Sequence, residues 1–290
     1  MKLIFSLVMC LVASAFSASA ALAQSDFHTE QTKLLAEAQS RLAQDPTNAE
    51  AMIWVGRRLG YLGRYKEAIS TYQQGETLHP KDARFARHIG HRLISLKQYE
   101  DAEKAFERAA RLTAAEPDRV EPDGLPNEAG VPTSTLKGNI WYHLGLARYL
   151  QGNFASAAIA YEGASALAHN PDAAAAARYW LFLSLKRSGL EDAASEALGG
   201  VDSNWDLIEN GVYHELALCL RGERDCEAIL QQARTAEGVG YATPAYGVAM
   251  ARMLAGDSAG GRSLLEEIVA KDTGASFGRL AAEADLQRLK

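Results

Sequence analysis

The chain has 290 residues, with 30 Lys plus Arg against 36 Asp plus Glu, a formal charge of −6 and three cysteines. That mildly acidic balance argues against nonspecific nucleic-acid binding, and the length suits one long array or two small domains.

Residues 1–23 have the three-part form of a secretory signal peptide: Met1-Lys2, an apolar run from Leu3 to Val12, and a small-residue stretch closing on Ala21-Leu22-Ala23. Cleavage is expected after Ala23, and Cys10 falls in the discarded peptide. The run is shorter than the roughly 20 apolar residues of a bilayer span, and no later segment supplies one. The expectation is therefore an exported protein of the bacterial periplasm without a membrane span, with an uncleaved anchor as the minor alternative.

Residues 24–48 come next, read as an N-terminal capping helix: an amphipathic helix from Asp26 to Gln44 ends before Asp45-Pro46. From Ala49 a spacing takes over. Gly56, Ala68, Tyr72 and Gly75 recur 34 residues later as Gly90, Ala102, Phe106 and Ala109, and 55 residues after that as Gly145, Ala157, Tyr161 and Ala164. Small residues at such positions let two helices approach within about 8 to 10 Å while the aromatic fills the space beside them. Pro80 closes the first unit, and Gly152-Asn153 supplies the turn of the third.

This pattern resembles the tetratricopeptide repeat. Units 1 and 2 occupy 49–116 and unit 3 occupies 138–171, separated by an insertion at 117–137 that holds Pro117, Pro122, Pro126, Pro132, Gly124 and Gly130. Its composition forbids a helix and favours an extended loop ordered by contact, either a lid over a binding surface or a mobile insertion. Residues 172–290 read as divergent hairpins: Asp172 to Leu198 turning at Gly189, Glu209 to Glu237 turning at Gly222, and Pro244 to Lys271 turning at Gly256. A closing helix from Leu280 to Leu289 follows. Cys219 and Cys226 flank Gly222 and read first as a disulfide of an oxidising compartment, with two buried thiols as the alternative.

The resemblance implies an all-α, right-handed α-solenoid of about six helix pairs, whose first helices line a concave groove. The groove positions are then Arg57 in unit 1, Arg84, Arg87 and His91 in unit 2, Asn139, Tyr142 and Tyr149 in unit 3, and Arg178 beyond, with His88 beside them. Arginine forks and tyrosine faces suit an acidic peptide; the alternative is a solvated face whose arginines meet neighbouring acids. The cluster is similar in kind to the carboxylate clamp of chaperone-binding members, but Ile53 and Leu146 replace polar clamp residues, so that ligand is not carried over.

His88 and His91 lack a third ligand at metal spacing, and His143 reads as structural. Ser134-Thr-Leu-Lys137 matches an acyl-enzyme motif only by chance, outside its helix-start context, and no phosphate or dinucleotide loop occurs. The expected function is a non-catalytic protein-protein interaction scaffold without metal or cofactor. The alternative is a small-ligand or enzymatic site at the Arg/His helix, closed by residues 117–137. Self-association through the array's ends is a third expectation.

Overall fold

A computed structural model describes residues 25–122, 125–236 and 238–290. The signal peptide and its cleavage site lie outside the described residues. The chain divides into two compact units between Pro80 and Lys81.

The N-terminal unit consists of a helix over residues 25–44 (α1), Ala49–Tyr61 (α2) and Tyr65–Leu78 (α3). Asn48 starts α2 by accepting from the Ala51 amide, and α3 stops two residues short of Pro80. Tyr72 is buried and its ring lies over Gly56, where an added Cβ would stand 2.9 Å from Cδ1.

The second unit repeats this pairing. Its helices are Ala83–Ser95 (α4), Tyr99–Thr113 (α5), Leu136–Gln151 (α6), Phe154–Ala166 (α7), Pro171–Arg187 (α8), Glu191–Gly199 (α9), Gly211–Leu220 (α10), Cys226–Ala233 (α11), Val239–Leu254 (α12), Ser258–Lys271 (α13) and Phe277–Arg288 (α14). Among the described residues no strand forms, only the single antiparallel bridge Val120 to Thr135. A Cβ on Gly90 would meet the Phe106 ring at 2.8 Å, and one on Gly145 the Tyr161 ring at 2.8 Å. The periodic small residue and the periodic aromatic are thus the two halves of one contact.

The pairs turn at left-handed residues. Gly152, Gly189, Gly222 and Gly256 all have positive φ, and Lys97 takes the same place in the α4–α5 turn at φ 60°. Cys219 and Cys226 stand at disulfide distance across the Gly222 turn, their Cα atoms 5.2 Å apart.

Two boundaries differ from the sequence expectation. Helix α12 begins at Val239 and carries Pro244 inside it. An interior proline costs about 3 kcal/mol, but Tyr241, Ala242, Ala245 and Tyr246 around it are fully buried, and their packing outweighs that loss. Helix α14 starts at Phe277, three residues earlier than expected, and packs on α6, α12 and α13.

That return of α14 builds a buried polar junction. The Asp285 carboxylate accepts from Arg187 (2.6 Å), Arg288 (2.7 Å) and the Tyr246 hydroxyl (2.8 Å). Tyr246 in turn bonds the Tyr149 hydroxyl at 2.7 Å, and Arg187 donates to it at 3.1 Å. Trp180 is the hub of the adjoining core, with Tyr149, Tyr179, Tyr246 and Tyr161 rings within 6.2 Å of it.

Candidate functional site: an aromatic cavity beneath the insertion

Between α5 and α6 the described residues 114–122 and 125–135 form no helix. Glu121 N–H donates to the Ser134 carbonyl (3.0 Å) and Leu136 N–H to the Arg119 carbonyl (2.8 Å), so these two arms pair. Glu209 then holds the second arm from outside, accepting from Thr133 Oγ1 at 3.0 Å and from Asn127. Asn170 donates to the Thr133 carbonyl at 2.8 Å. Four prolines make this segment unable to fold as helix, and its contacts substitute for helical hydrogen bonds.

Beneath Thr133 and Ser134 lies a half-open cavity of about 410 Å³. Helix α4 contributes Arg87 and His91, α6 contributes Asn139, Tyr142 and His143, α8 contributes Ala173, Ala176 and Ala177, and α10 and α14 add Tyr213 and Phe277. Its size falls within the roughly 300–1,000 Å³ of ligand pockets.

Aromatic rings form one wall. His91 and His143 lie 4.6 Å apart with their planes tilted by 45°, Phe277 stands 5.8 Å from His91 and edge-on to His143 at 5.6 Å, and Tyr142 meets His143 edge-on at 5.3 Å. Offset and edge-to-face arrangements match the ring quadrupoles. The His143 Nδ1–H donates to the Asn139 carbonyl (2.7 Å), an assignment that follows because a carbonyl only accepts. Its Nε2 is then a lone-pair acceptor.

The charges near the cavity are largely answered within the protein. Arg87 pairs with Glu121 at 2.9 Å and contacts His88 Nδ1 at 2.9 Å, while its Nε is buried with no acceptor. Asn139 reinforces Glu121 with a 2.6 Å bond and donates to Ser134 Oγ at 3.0 Å. Arg84 is held by Asp82 at 2.6 Å.

The groove residues expected from sequence therefore separate. Arg87, His91, Asn139 and Tyr142 converge on the cavity, and His88 is buried behind Arg87. Tyr149, expected on the groove wall, is instead fully buried, because Tyr246 and Arg187 close over it. Arg178, also expected there, donates to the Ala197 carbonyl at 2.9 Å at the end of α9. Arg57 belongs to the N-terminal unit, where its guanidinium lies 4.9 Å over the Trp54 ring. His143, read as structural, lines the cavity, as do Tyr213 and Phe277, which no periodic signal marks.

Residues 88–116 match the family model for the tetratricopeptide repeat. The chain contains a tetratricopeptide repeat. By sequence, no curated protein matches it. Among solved structures it is similar to the Rap conjugation gene regulator of plasmid pLS20 in complex with its Phr peptide, at 14% identity, over 93% of this chain and 73% of that one, with TM-score 0.54. It is similar to the Cut9-Hcn1 hetero-tetramer of APC/C at 15% identity, over 91% and 47% of the two chains, TM-score 0.53. YrrB, a TPR protein with an unusual peptide-binding site, shares 14% identity over 86% and 97%, TM-score 0.46. At such identities the likeness to the first two shows the fold alone, an all-α array of helix pairs, in which residues 88–116 supply the tetratricopeptide repeat. No helix among the described residues is long and apolar enough to cross a membrane, and no cluster of three or more metal-ligating side chains occurs among them.

Within this tetratricopeptide frame the two cavity imidazoles are held neutral. Burial, then the nearby Arg87, pushes His143 down to about 3 against the favourable Asn139 bond, and burial with Arg92 pushes His91 down too. A histidine whose folded pKa lies below its unfolded value contributes full stability above pH 6.5, and that contribution is lost as pH falls from 6.5 toward 3. Relative to a His143→Asn variant, the wild type is expected to lose about 2 kcal/mol between pH 7 and pH 5, at about 1.4 kcal/mol per unit. Urea denaturation at the two pH values checks this; equal losses would refute it.

Proposed function

We propose that this chain is a non-catalytic protein-interaction scaffold of the bacterial periplasm that takes an uncharged segment of a protein partner into the cavity beneath residues 133–135. The observation that carries the reading is the wall of Tyr142, His143, His91 and Phe277 beside Arg87, whose charge Glu121 already answers. Such a site rewards flat apolar groups and gives little extra to an acidic peptide, since a desolvated anion needs a charge partner not already engaged.

The fold shared with the Rap regulator, whose structure holds a peptide, supports a peptide as the class of ligand. The secretory form of residues 1–23 and the cysteine pair at disulfide distance support export. For the non-catalytic part, burial pushes His143 down to about 3 and pushes His91 down as well, which makes both imidazoles weak general bases. A second reading, a small neutral ligand, is favoured by one observation: Thr133 and Ser134 partly cover the cavity.

Ala173 lines the cavity and is only partly buried. Ala173→Phe is expected to fill the space, abolish retention of periplasmic proteins on the immobilised chain and leave the melting temperature within about 2 °C of wild type. Identical retention by the two proteins would refute partner binding at this site. Native mass spectrometry showing a small molecule released from wild type and absent from Ala173→Phe would move the assignment to the second reading.

A further inference from the structure

The cavity's hydrogen-bonding groups narrow the chemistry of what enters it. His143 commits Nδ1–H to the Asn139 carbonyl, which leaves the Nε2 lone pair for an incoming donor. The His91 ring, its centroid 4.6 Å away and its plane tilted by 45°, makes no hydrogen bond among the described residues, and a neutral imidazole always carries one N–H. His143 Nε2 as acceptor and the His91 N–H as donor therefore stand on the same wall, with the second His91 nitrogen a further acceptor. Around them are ring faces and edges from Tyr142 and Phe277.

A flat ring bearing one atom that both donates and accepts answers this arrangement. A hydroxyl does both, and a carbonyl or an ammonium does only one. Positive charge is disfavoured here, because Arg87 and Arg92 both oppose protonation of these imidazoles. We propose that the cavity is a phenol subsite, filled by the tyrosine side chain of a partner segment whose hydroxyl donates to His143 Nε2 and accepts from the His91 ring N–H. This rests on the partner-binding reading above.

The rim selects a tyrosine within a chain over a free phenol. Val239 lines the cavity and is 67% exposed. Residues flanking the tyrosine cover that apolar edge; a free phenol leaves it wet.

Three probes test the inference by calorimetric titration of the exported chain: blocked peptides Ala-Ala-Tyr-Ala-Ala and Ala-Ala-Phe-Ala-Ala, and p-cresol. The tyrosine peptide is expected to bind at least tenfold tighter than the phenylalanine peptide, because phenylalanine leaves both imidazole groups unpaired. His143→Asn keeps the donor at the Nδ1 position and loses the Nε2 acceptor, so it is expected to erase the preference, and His143→Gln, which restores a polar group near Nε2, to recover part of it. Equal affinities of the two peptides for wild type would overturn the phenol assignment while leaving the partner site standing. No binding by any probe would overturn both. Binding of p-cresol as tight as the tyrosine peptide would support phenol chemistry and overturn the peptide source.

Discussion

Asp285→Ala is expected to destabilise the second unit by about 3–5 kcal/mol, the range for removing one partner of a buried ion pair. Asp285 is 2% exposed and holds two arginines and a tyrosine hydroxyl at once. Its loss leaves Arg187, whose side chain is 19% exposed, without its acid, and leaves Tyr246 only the Tyr149 hydroxyl as an acceptor. Arg187 cannot swing to water freely, since its guanidinium lies 4.0 Å over Phe154 and 5.2 Å over Tyr149. Near-UV circular dichroism on heating should show a melting point lowered by roughly 10 °C. Arg288→Ala removes only one of the three donors, from a more exposed side chain, and is expected to lower it by less than half as much. Equal shifts for the two variants would show that Asp285 is not the hub of the junction.

The same junction explains which parts of the fold and site were legible in the sequence. Gly90 with Phe106 and Gly145 with Tyr161 are local contacts at fixed spacing, so the period exposes them directly. The turns were legible for the same reason, because a left-handed backbone position favours glycine; Lys97 is the one that composition hides. What the period cannot carry is a helix returning from far along the chain. Phe277 reaches His91 and His143, and Glu283 pairs with Lys97 at 2.6 Å, across separations of well over a hundred residues.

Those returns also decide the site. Position in the repeat puts Tyr149 on an inner face, but Tyr246 of α12 and Arg187 occupy what lies in front of it. Arg87 lines the cavity and is buried. Its charge partner, Glu121, comes from the insertion, where no periodicity applies, so its neutralisation was not readable. The residue types pointed to binding, while the partnering that turns an anion site into an aromatic one depends on tertiary contacts.

Gly278→Ala is expected to lower stability by several kcal/mol and to weaken ligand binding together with it. A Cβ at Gly278 would overlap the Ala242 carbonyl oxygen and stand 2.6 Å from that carbonyl carbon and 2.8 Å from Thr243 Cα. These are backbone atoms of α12, buried with their neighbours, so no side chain can yield and α14 itself must move away. Alanine gains up to about 1 kcal/mol of intrinsic helix propensity over glycine, which works against the effect and is the smaller term. Phe277 is the adjoining residue, so a displacement of the start of α14 draws its ring off His91 and His143 and opens that wall of the cavity. Phe277→Ala deletes the same ring without the backbone clash. It is expected to match Gly278→Ala in lost affinity for the tyrosine peptide while retaining a melting point closer to wild type. If Gly278→Ala keeps both wild-type stability and wild-type affinity, the close approach of α14 to α12 is not what holds the cavity wall in place.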